Sequence, residues 1–186
     1  GKEYNMSFVN GKRHGKLDVV GKVGKANTGT TLRFWPDSQY FDSPNISLPS
    51  LKHVLRAKAV LCPGLDVRLE VEKPKEKMRW QYSGGLEEYL LEALGEGECL
   101  PEQPFTGSLR GKREAVEWAL VWATDRSTPV NESYVNLIPT PQGGTHLNGL
   151  RAGLTEALRE FCEFRNLLPR GIKLAPEDVW EGVAFV

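Results

Sequence analysis

The sequence predicts an α+β fold, and three stretches carry that prediction. Residues 65–71 (LDVRLEV) alternate strictly, with Leu65, Val67, Leu69 and Val71 on one face, the pattern of a half-buried strand. Residues 105–110 and 116–123 read as a hairpin across a turn at 111–113. Residues 145–168 hold the longest periodic run. There Leu147, Leu150, Leu154, Leu158, Phe161, Phe164 and Leu168 recur at three- and four-residue steps, on one face of a helix.

The elements follow in order. Residues 4–10 read as a strand, Asn10-Gly11 opens a turn among the basic residues Lys12, Arg13 and Lys16, and residues 17–23 form a second strand. After a loop at 24–29, residues 30–34 (TTLRF) read as a third strand, so the opening is predicted as a three-stranded antiparallel meander. Ser47 or Ser50 caps a helix with Leu51, Val54, Leu55, Lys58 and Leu61 at helical spacing, closed by Cys62-Pro63-Gly64. The strand at 65–71 pairs with 78–82 across a charged turn, and a short helix covers 86–94. Residues 95–104, rich in glycine, proline and glutamate, are the best linker candidate between two small units. Residues 125–132 read as a polar loop.

The segment around the long helix organises the rest. Tyr134, Val135, Leu137 and Ile138 predict a short strand ended by Pro139 and Pro141, since proline cannot donate to a ladder. Gly143-Gly144 precede Thr145, the expected N-cap, and the helix must stop before Pro169. Arg151, Thr155 and Arg159, four apart, form a polar stripe expected to face away from the core. Residues 169–174 read as a loop. Ala175-Pro176-Glu177-Asp178 starts a short helix, and residues 182–186 form a last strand. The opening strand without a cap and the final strand without a following turn both read as cut ends.

Composition excludes several classes. The chain has 186 residues, 40% of them hydrophobic, enough for a proper core in one large domain or two small ones. Lysine plus arginine equal aspartate plus glutamate at 24 each, so net charge does not argue for nucleic acid, although a local basic stripe can still exist. Three widely spaced cysteines (Cys62, Cys99, Cys162) without a CxxC argue against a disulfide framework or zinc site and for a cytoplasmic location. The sequence does not open on a basic-then-apolar leader. The longest apolar run, near 115–123, is interrupted by Glu117 and falls well short of the ~20 residues a membrane span needs, so no membrane role is expected.

Catalytic motifs are equally sparse. The glycine–lysine region 21–29 fails the pattern GxxxxGK[ST] and reads as a solvated hairpin loop. Neither HExxH nor GxSxG occurs, and His14, His53 and His146 lack ligand spacing. His146, at a helix start, fits a hydrogen-bonding role better than a catalytic one. Glu87-Glu88 fits dipole compensation in a first helical turn. The residues alone therefore show no self-contained active site.

Three blocks carry a resemblance instead: TGTTLRFWPD (28–37), LRAKAVLCPG (55–64) and ESYVNLIPTPQGGTHLNGLRAGL (132–154). In this order and spacing they resemble the B subunits of bacterial type IIA topoisomerases, over essentially the whole chain. The block AKAVLCPG and the segment EFCEFRNLLPRGIKLAPEDVWEGV (160–183) resemble the topoisomerase IV branch, with the gyrase branch as the alternative. The resemblance implies that residues 1–98 are the C-terminal part of an ATPase domain of the gyrase, Hsp90, histidine-kinase and MutL type. Residues 99–186 would be most of a transducer domain with a ribosomal S5 domain 2-like fold. The family's catalytic glutamate, magnesium-binding asparagine and glycine-rich lid would lie before residue 1, and its transducer lysine just after Val186. The chain alone is thus expected neither to hydrolyse ATP nor to hold a cofactor.

Carried over by position, the resemblance puts Thr30 at the adenine, partly through water, and Leu32 on the pocket wall. The alternation of an extended strand agrees that the two share a face. It also places Arg151 where the family faces a cavity for transported duplex DNA, against the plainer reading of a solvated helix arginine. ATP with Mg2+ would serve the intact subunit. Its implied partners are the A subunit of topoisomerase IV, a second copy of itself in an ATP-dependent dimer, and double-stranded DNA. The competing function class is a stand-alone S5-like nucleic-acid-binding or scaffold module without an ATPase role.

Overall fold

Asn10 and Gly11 reverse the chain for the first time. Both have positive φ, 52° and 73°, the conformation of the tight two-residue turn that matches the right-handed twist of paired strands. They join β1 (Lys2–Val9) to β2 (Lys12–Lys22), antiparallel from Val9↔Lys12 out to Lys2↔Lys22. The ribbon is longer than predicted in β2 and carries register shifts beside Tyr4 and between Asn5 and Ser7. The computed structural model describes residues 1–95, 97–124, 130–169 and 171–186. Its contacts divide the chain into two compact units, Gly1–Ile46 and Ser47–Val186.

In the first unit the predicted third strand is absent. Residues 24–37 run without a ladder, and Leu32, Phe34 and Trp35 are exposed. The meander is therefore a two-stranded hairpin. Alternation fixes which side chains share a face, but a strand also needs a neighbour's N–H and C=O groups. Among the described residues β1 and β2 pair only with each other.

The second unit begins with α1 (Leu48–Leu61), whose N-cap is Ser47, one of the two serines expected there; the other, Ser50, lies inside the first turn. The Ser47 hydroxyl meets Ser50 Oγ at 3.0 Å instead of a backbone N–H. Then β3 (Val67–Val71) and β4 (Glu76–Trp80) form the expected hairpin, with Val67, Leu69 and Val71 half-buried and Arg68 and Glu70 exposed. In α2 (Gly85–Leu94), Tyr89 and Leu90 are buried, and Glu88 Oε2 accepts a 2.8 Å bond from the Gly84 N–H.

The expected linker at 95–104 is largely strand. β5 (Cys99–Arg110) pairs with β6 (Ala115–Ala123), which pairs with β9 (Val183–Phe185), in the order β5-β6-β9. Pro101 and Pro104 read as linker, yet they fit here because the register is interrupted between Leu100 and Phe105 on an edge strand, where a missing N–H leaves little unsatisfied. Residue 96 of that stretch, residues 125–129 of the expected polar loop and residue 170 of the loop at 169–174 lie outside the described residues. Residues 130–132 run beside β9, with a parallel bridge Asn131↔Phe185, so the long helix lies in sequence between two parallel segments.

The single strand predicted at 134–138 is a small hairpin. β7 (Tyr134–Val135) and β8 (Ile138–Pro139) pair across Asn136 and Leu137, at φ 48° and 69°. The long helix, α3 (Thr145–Arg165), has Gly144 as its N-cap. Thr145, the expected cap, is its first helical residue. The helix ends well before Pro169 because Asn166 turns left-handed at φ 54° and the Leu167 N–H returns to the Cys162 carbonyl at 2.9 Å. The short α4 (Pro176–Trp180) starts as predicted, with Asp178 Oδ2 accepting from the Ala175 N–H at 2.8 Å.

The core sits on both faces of β6 and β9. On one face Ala119, Val121, Ala184 and Val186 pack with Ala59 and Val60 of α1 and with Tyr89 and Leu90 of α2. On the other, Leu120, Val183 and Phe185 meet Leu147, Leu150 and Leu154 of α3, and Trp180 of α4. Only the first half of the α3 apolar stripe is used: Phe161 is 49% and Phe164 81% exposed. The stripe expected to face away from the core does not do so at its centre, where Thr155 is 4% exposed. Its hydroxyl is satisfied by donating to the Arg151 carbonyl at 2.8 Å, and α4 covers this side of the helix.

Gly107 stands opposite Trp118 in the β5–β6 ladder, and a Cβ there would lie 1.9 Å from Trp118 Cζ2. The indole is rigid and packs on the core face of β6, so Gly107→Ala is expected to cost about 1–3 kcal/mol through forced repacking. Gly29→Ala, where nothing lies within 4 Å, is the neutral control. Urea midpoints of the two variants measure the difference; equal midpoints would show that the indole moves aside freely.

Candidate functional site

Thr30 and Leu32 lie in the stretch of the first unit that runs without a ladder. They carry no strand assignment there, so the shared face expected from strand alternation has no ladder to fix it. Both are exposed, Leu32 at 81%, so the first unit presents a hydroxyl and an apolar side chain to the outside and does not enclose them. Sequence proximity, not packing, links Thr30 with Leu32. Arg151 belongs to the second unit.

Arg151 is on the second turn of α3, exposed, with its guanidinium carbon 5.3 Å from the centroid of the Trp180 ring. Its carbonyl accepts from Thr155 Oγ1 at 2.8 Å and from Trp180 Nε1 at 3.5 Å. The backbone is held by packing while the charge rests on an aromatic face, an arrangement worth roughly 0.5–1 kcal/mol at an exposed site. Farther along the same stripe, Arg159 Nε donates to the Leu174 carbonyl at 2.8 Å. That arginine ties the helix to the segment before α4 and is not a free surface charge.

A polar network that no sequence pattern indicated lies between α1, α2 and β7. Tyr89 Oη donates to the Glu132 carboxylate at 2.9 Å, and Tyr134 Oη donates to Glu132 Oε2 at 2.7 Å. His53 Nε2 is 3.8 Å from the same carboxylate. Arg56 lies 4.9 Å over the Tyr89 ring and donates through Nε to Tyr82 Oη at 2.9 Å; Tyr82 in turn donates to Glu92 Oε2 at 2.6 Å. Burial pushes the phenols of Tyr89 and Tyr134 well above the usual tyrosine range, and their bonds to Glu132 push the same way. Tyr82 is raised by burial and by its bond to Glu92. The partners Tyr89 and Glu132 stand 43 residues apart in sequence, which is why periodicity could not pair them.

Beside this network a shallow recess is lined by His53, Val54, Ala57, Lys58, Tyr134, Leu137 and Pro139. Lys58 Nζ donates to the Leu137 carbonyl across it. His146 Nε2 is 3.3 Å from Thr140 Oγ1, in keeping with a hydrogen-bonding role at the start of α3. Among the described residues, no group of three or more histidine, cysteine, aspartate or glutamate side chains is placed to hold a metal, and no helix is long and apolar enough to cross a membrane.

Residues 85–186 match the family DNA gyrase B. The chain is 59% identical to the DNA topoisomerase 4 B subunit of Pseudomonas aeruginosa over 99% of its own length, and spans 29% of that protein. Its fold superposes on the topoisomerase IV ATP-binding domain of Francisella tularensis, solved with a small-molecule inhibitor. The TM-score is 0.79 at 34% identity, covering 100% of this chain and 50% of that one. The 43K ATPase domain of Thermus thermophilus gyrase B, solved with an aminocoumarin, gives a TM-score of 0.76 at 25% identity, again over 100% and 50%. These likenesses agree with the α+β fold of a gyrase-type ATPase region. The family match begins at Gly85, so it takes in α2 as well as the β5-β6-β9 sheet.

The network gives a pH signature. A phenol held neutral in the fold contributes stability that is present below its unfolded pKa of about 10 and is lost as pH rises from there toward the higher folded value. Tyr89→Phe removes a hydrogen bond to a charged group and is expected to cost about 1.5–3 kcal/mol at neutral pH. In Tyr89→Phe/Tyr134→Phe the gap from wild type is expected to narrow above pH ~10. Urea titrations at pH 7, 9 and 10.5 read this directly, and a gap independent of pH would remove the carboxylate–phenol bonds from the account.

Proposed function

The chain belongs to the DNA gyrase B family, and on that premise we propose that it is part of the ATP-dependent B subunit of a bacterial type IIA topoisomerase of the topoisomerase IV kind. The intact subunit changes DNA topology and decatenates by passing one duplex through a double-strand break in another, coupling ATP binding and hydrolysis to motion of the DNA gate. The observation that carries this reading is 59% identity to a DNA topoisomerase 4 B subunit across nearly the whole chain. The likeness to an ATP-binding domain over all 186 residues supports the nucleotide side of it. The chain spans less than a third of that relative's length, so the activity is assigned to the subunit and not to these residues alone.

On this reading residues 1–98 belong to the ATPase domain and residues 99–186 to the transducer. The subunit works in the cytoplasm with the A subunit of topoisomerase IV, with a second copy of itself and with double-stranded DNA. ATP with Mg2+ supplies the phosphoryl chemistry when bound. This chain's own contribution to the nucleotide is binding: Leu32 offers an apolar flank and Thr30 a hydroxyl to the adenine. The family's base, metal ligand and transducer lysine are not assigned to any residue here. Arg151 contributes a positive charge toward the transported duplex, a contact to phosphate that positions without reading sequence.

Two measurements in the intact subunit, assembled with its A subunit, test these assignments. Leu32→Trp is expected to weaken ATP binding by about 1–3 kcal/mol through overpacking at the adenine, read by nucleotide titration; unchanged affinity in a folded variant would remove Leu32 from the pocket. ATP-dependent decatenation by the wild type tests the reading as a whole, and its absence sinks it.

Arg151→Gln is expected to change stability by under ~0.5 kcal/mol beyond the lost stacking on Trp180. It should leave DNA-independent ATPase intact and lower the stimulation of ATPase by DNA, most clearly at higher salt. Stimulation equal to wild type at every salt concentration would leave Arg151 as a helix residue stacked on Trp180 and nothing more.

A further inference from the structure

The β1–β2 ribbon concentrates charge in a chain that is neutral as a whole. Residues 1–25 hold six lysine and arginine residues against two acids, Glu3 and Asp18, while the full sequence holds 24 of each sign. The excess gathers at the tip, where Lys12, Arg13, His14 and Lys16 follow the Asn10-Gly11 turn and the nearest acid in sequence is Asp18. All four are exposed. No acidic side chain pairs with Lys12, Arg13 or Lys16 among the described residues. Some cations elsewhere do have acidic partners: Lys52 meets Glu76 at 2.7 Å, Lys77 meets Glu70 at 3.0 Å, and Arg68 meets Asp66 at 2.6 Å.

The register distributes these charges. Lys12 lies opposite Val9 and His14 opposite Ser7, on one face of the ribbon, while Arg13 lies opposite Phe8 on the other. Lys16 falls in the register shift that begins at Gly15, where φ is 83°. The tip is held by the tight turn and by the Ser7 hydroxyl, which donates to the His14 carbonyl at 3.0 Å. A short ribbon with cations on both faces matches one partner well. The major groove of duplex DNA admits a two-stranded β-ribbon and is walled on both sides by phosphates.

We infer that the β1–β2 hairpin tip is a sequence-independent contact for the phosphate backbone of duplex DNA, with Lys12, Arg13 and Lys16 carrying the charge. The choice of duplex DNA rests on the topoisomerase reading. The charge segregation and the ribbon geometry do not. The contact is distinct from that of Arg151, which lies in the other unit.

The test uses the 186-residue chain and two labelled duplexes of about 20 base pairs and unrelated sequence, with binding followed by fluorescence anisotropy from about 50 to 200 mM salt. Wild type is compared with Lys12→Gln/Arg13→Gln/Lys16→Gln and with Lys73→Gln/Lys75→Gln/Lys77→Gln, an equal charge change beside the β3–β4 turn. The expected result is binding of both duplexes by wild type and control, and a log–log salt slope lowered by about 2–3 in the tip variant, one phosphate contact per removed cation. The inference is overturned if wild type binds neither duplex or if both variants lose binding equally. It is also overturned if the tip variant binds as wild type does, or if phosphatidylglycerol vesicles take the tip and duplex DNA does not displace them. Decatenation by the intact subunit tests the topoisomerase reading separately, so a wild type that decatenates while its tip variant keeps full duplex binding removes the hairpin contact alone.

Discussion

Strand β6 is buried on both faces, and the second unit is arranged around that constraint. Ala119, Leu120 and Val121 are each 2% exposed or less. A strand with two buried faces cannot be served by one helix layer. It requires α1 and α2 against Ala119 and Val121, and α3 with α4 against Leu120. The sequence of β6 answers this with a continuous apolar run, WALVWA, in place of the alternation seen in β3. Burial also explains why β9, only three residues long, holds its place. Both its faces are covered, and residues 130–132 run along the edge that β6 leaves free.

Glu132 is the polar counterpart of that core. Its carboxylate lies beside the buried Tyr89 ring, where an unpaired charge would be costly. Two phenol hydrogen bonds answer that cost. A half-buried charge held in this way adds little net stability over an apolar equivalent, but it allows few alternatives. Tyr89 must face β7, and Tyr134 must point back toward α2. Arg56 extends the constraint to α1 by lying over the Tyr89 ring and bonding Tyr82. The network thus sets the orientation of two helices relative to the hairpin that precedes α3.

Legibility in the sequence followed the range of the forces involved. The β3–β4 hairpin, α1, α2, the β5–β6 pair and α4 were readable, because alternation, helical spacing and turn chemistry are local. The region around residues 30–34 was not, since TTLRF alternates like a strand whether or not a partner is present. The linker reading failed at Pro101 and Pro104 because composition does not tell an edge strand with an interrupted register from a loop. Thr145 was displaced as cap by Gly144 for a similar reason: either residue satisfies the local pattern. The exposure of Phe164 and the burial of Thr155 depend on how far along α3 the sheet and α4 reach, which helical spacing cannot say. As for sites, the block resemblance pointed to Thr30, Leu32 and Arg151, whereas the stacking of Arg151 on Trp180 and the Glu132 network are tertiary facts between distant residues.

The shared core bears on how the second unit responds to displacement. α1 and α2 fall within residues 1–98, and β6 and β9 within 99–186, yet their side chains fill one close-packed cluster. Close-packed interiors do not deform gradually; they hold one arrangement or shift to another. Moving α2 relative to the sheet would expose Leu90, which is fully buried, and would part Tyr89 from Glu132, leaving a carboxylate without its phenols. Both costs fall together, so small displacements are resisted and α1, α2, β6 and β9 move as one piece. A displacement imposed on α1 is therefore passed through this cluster to α2, β6 and β9 together.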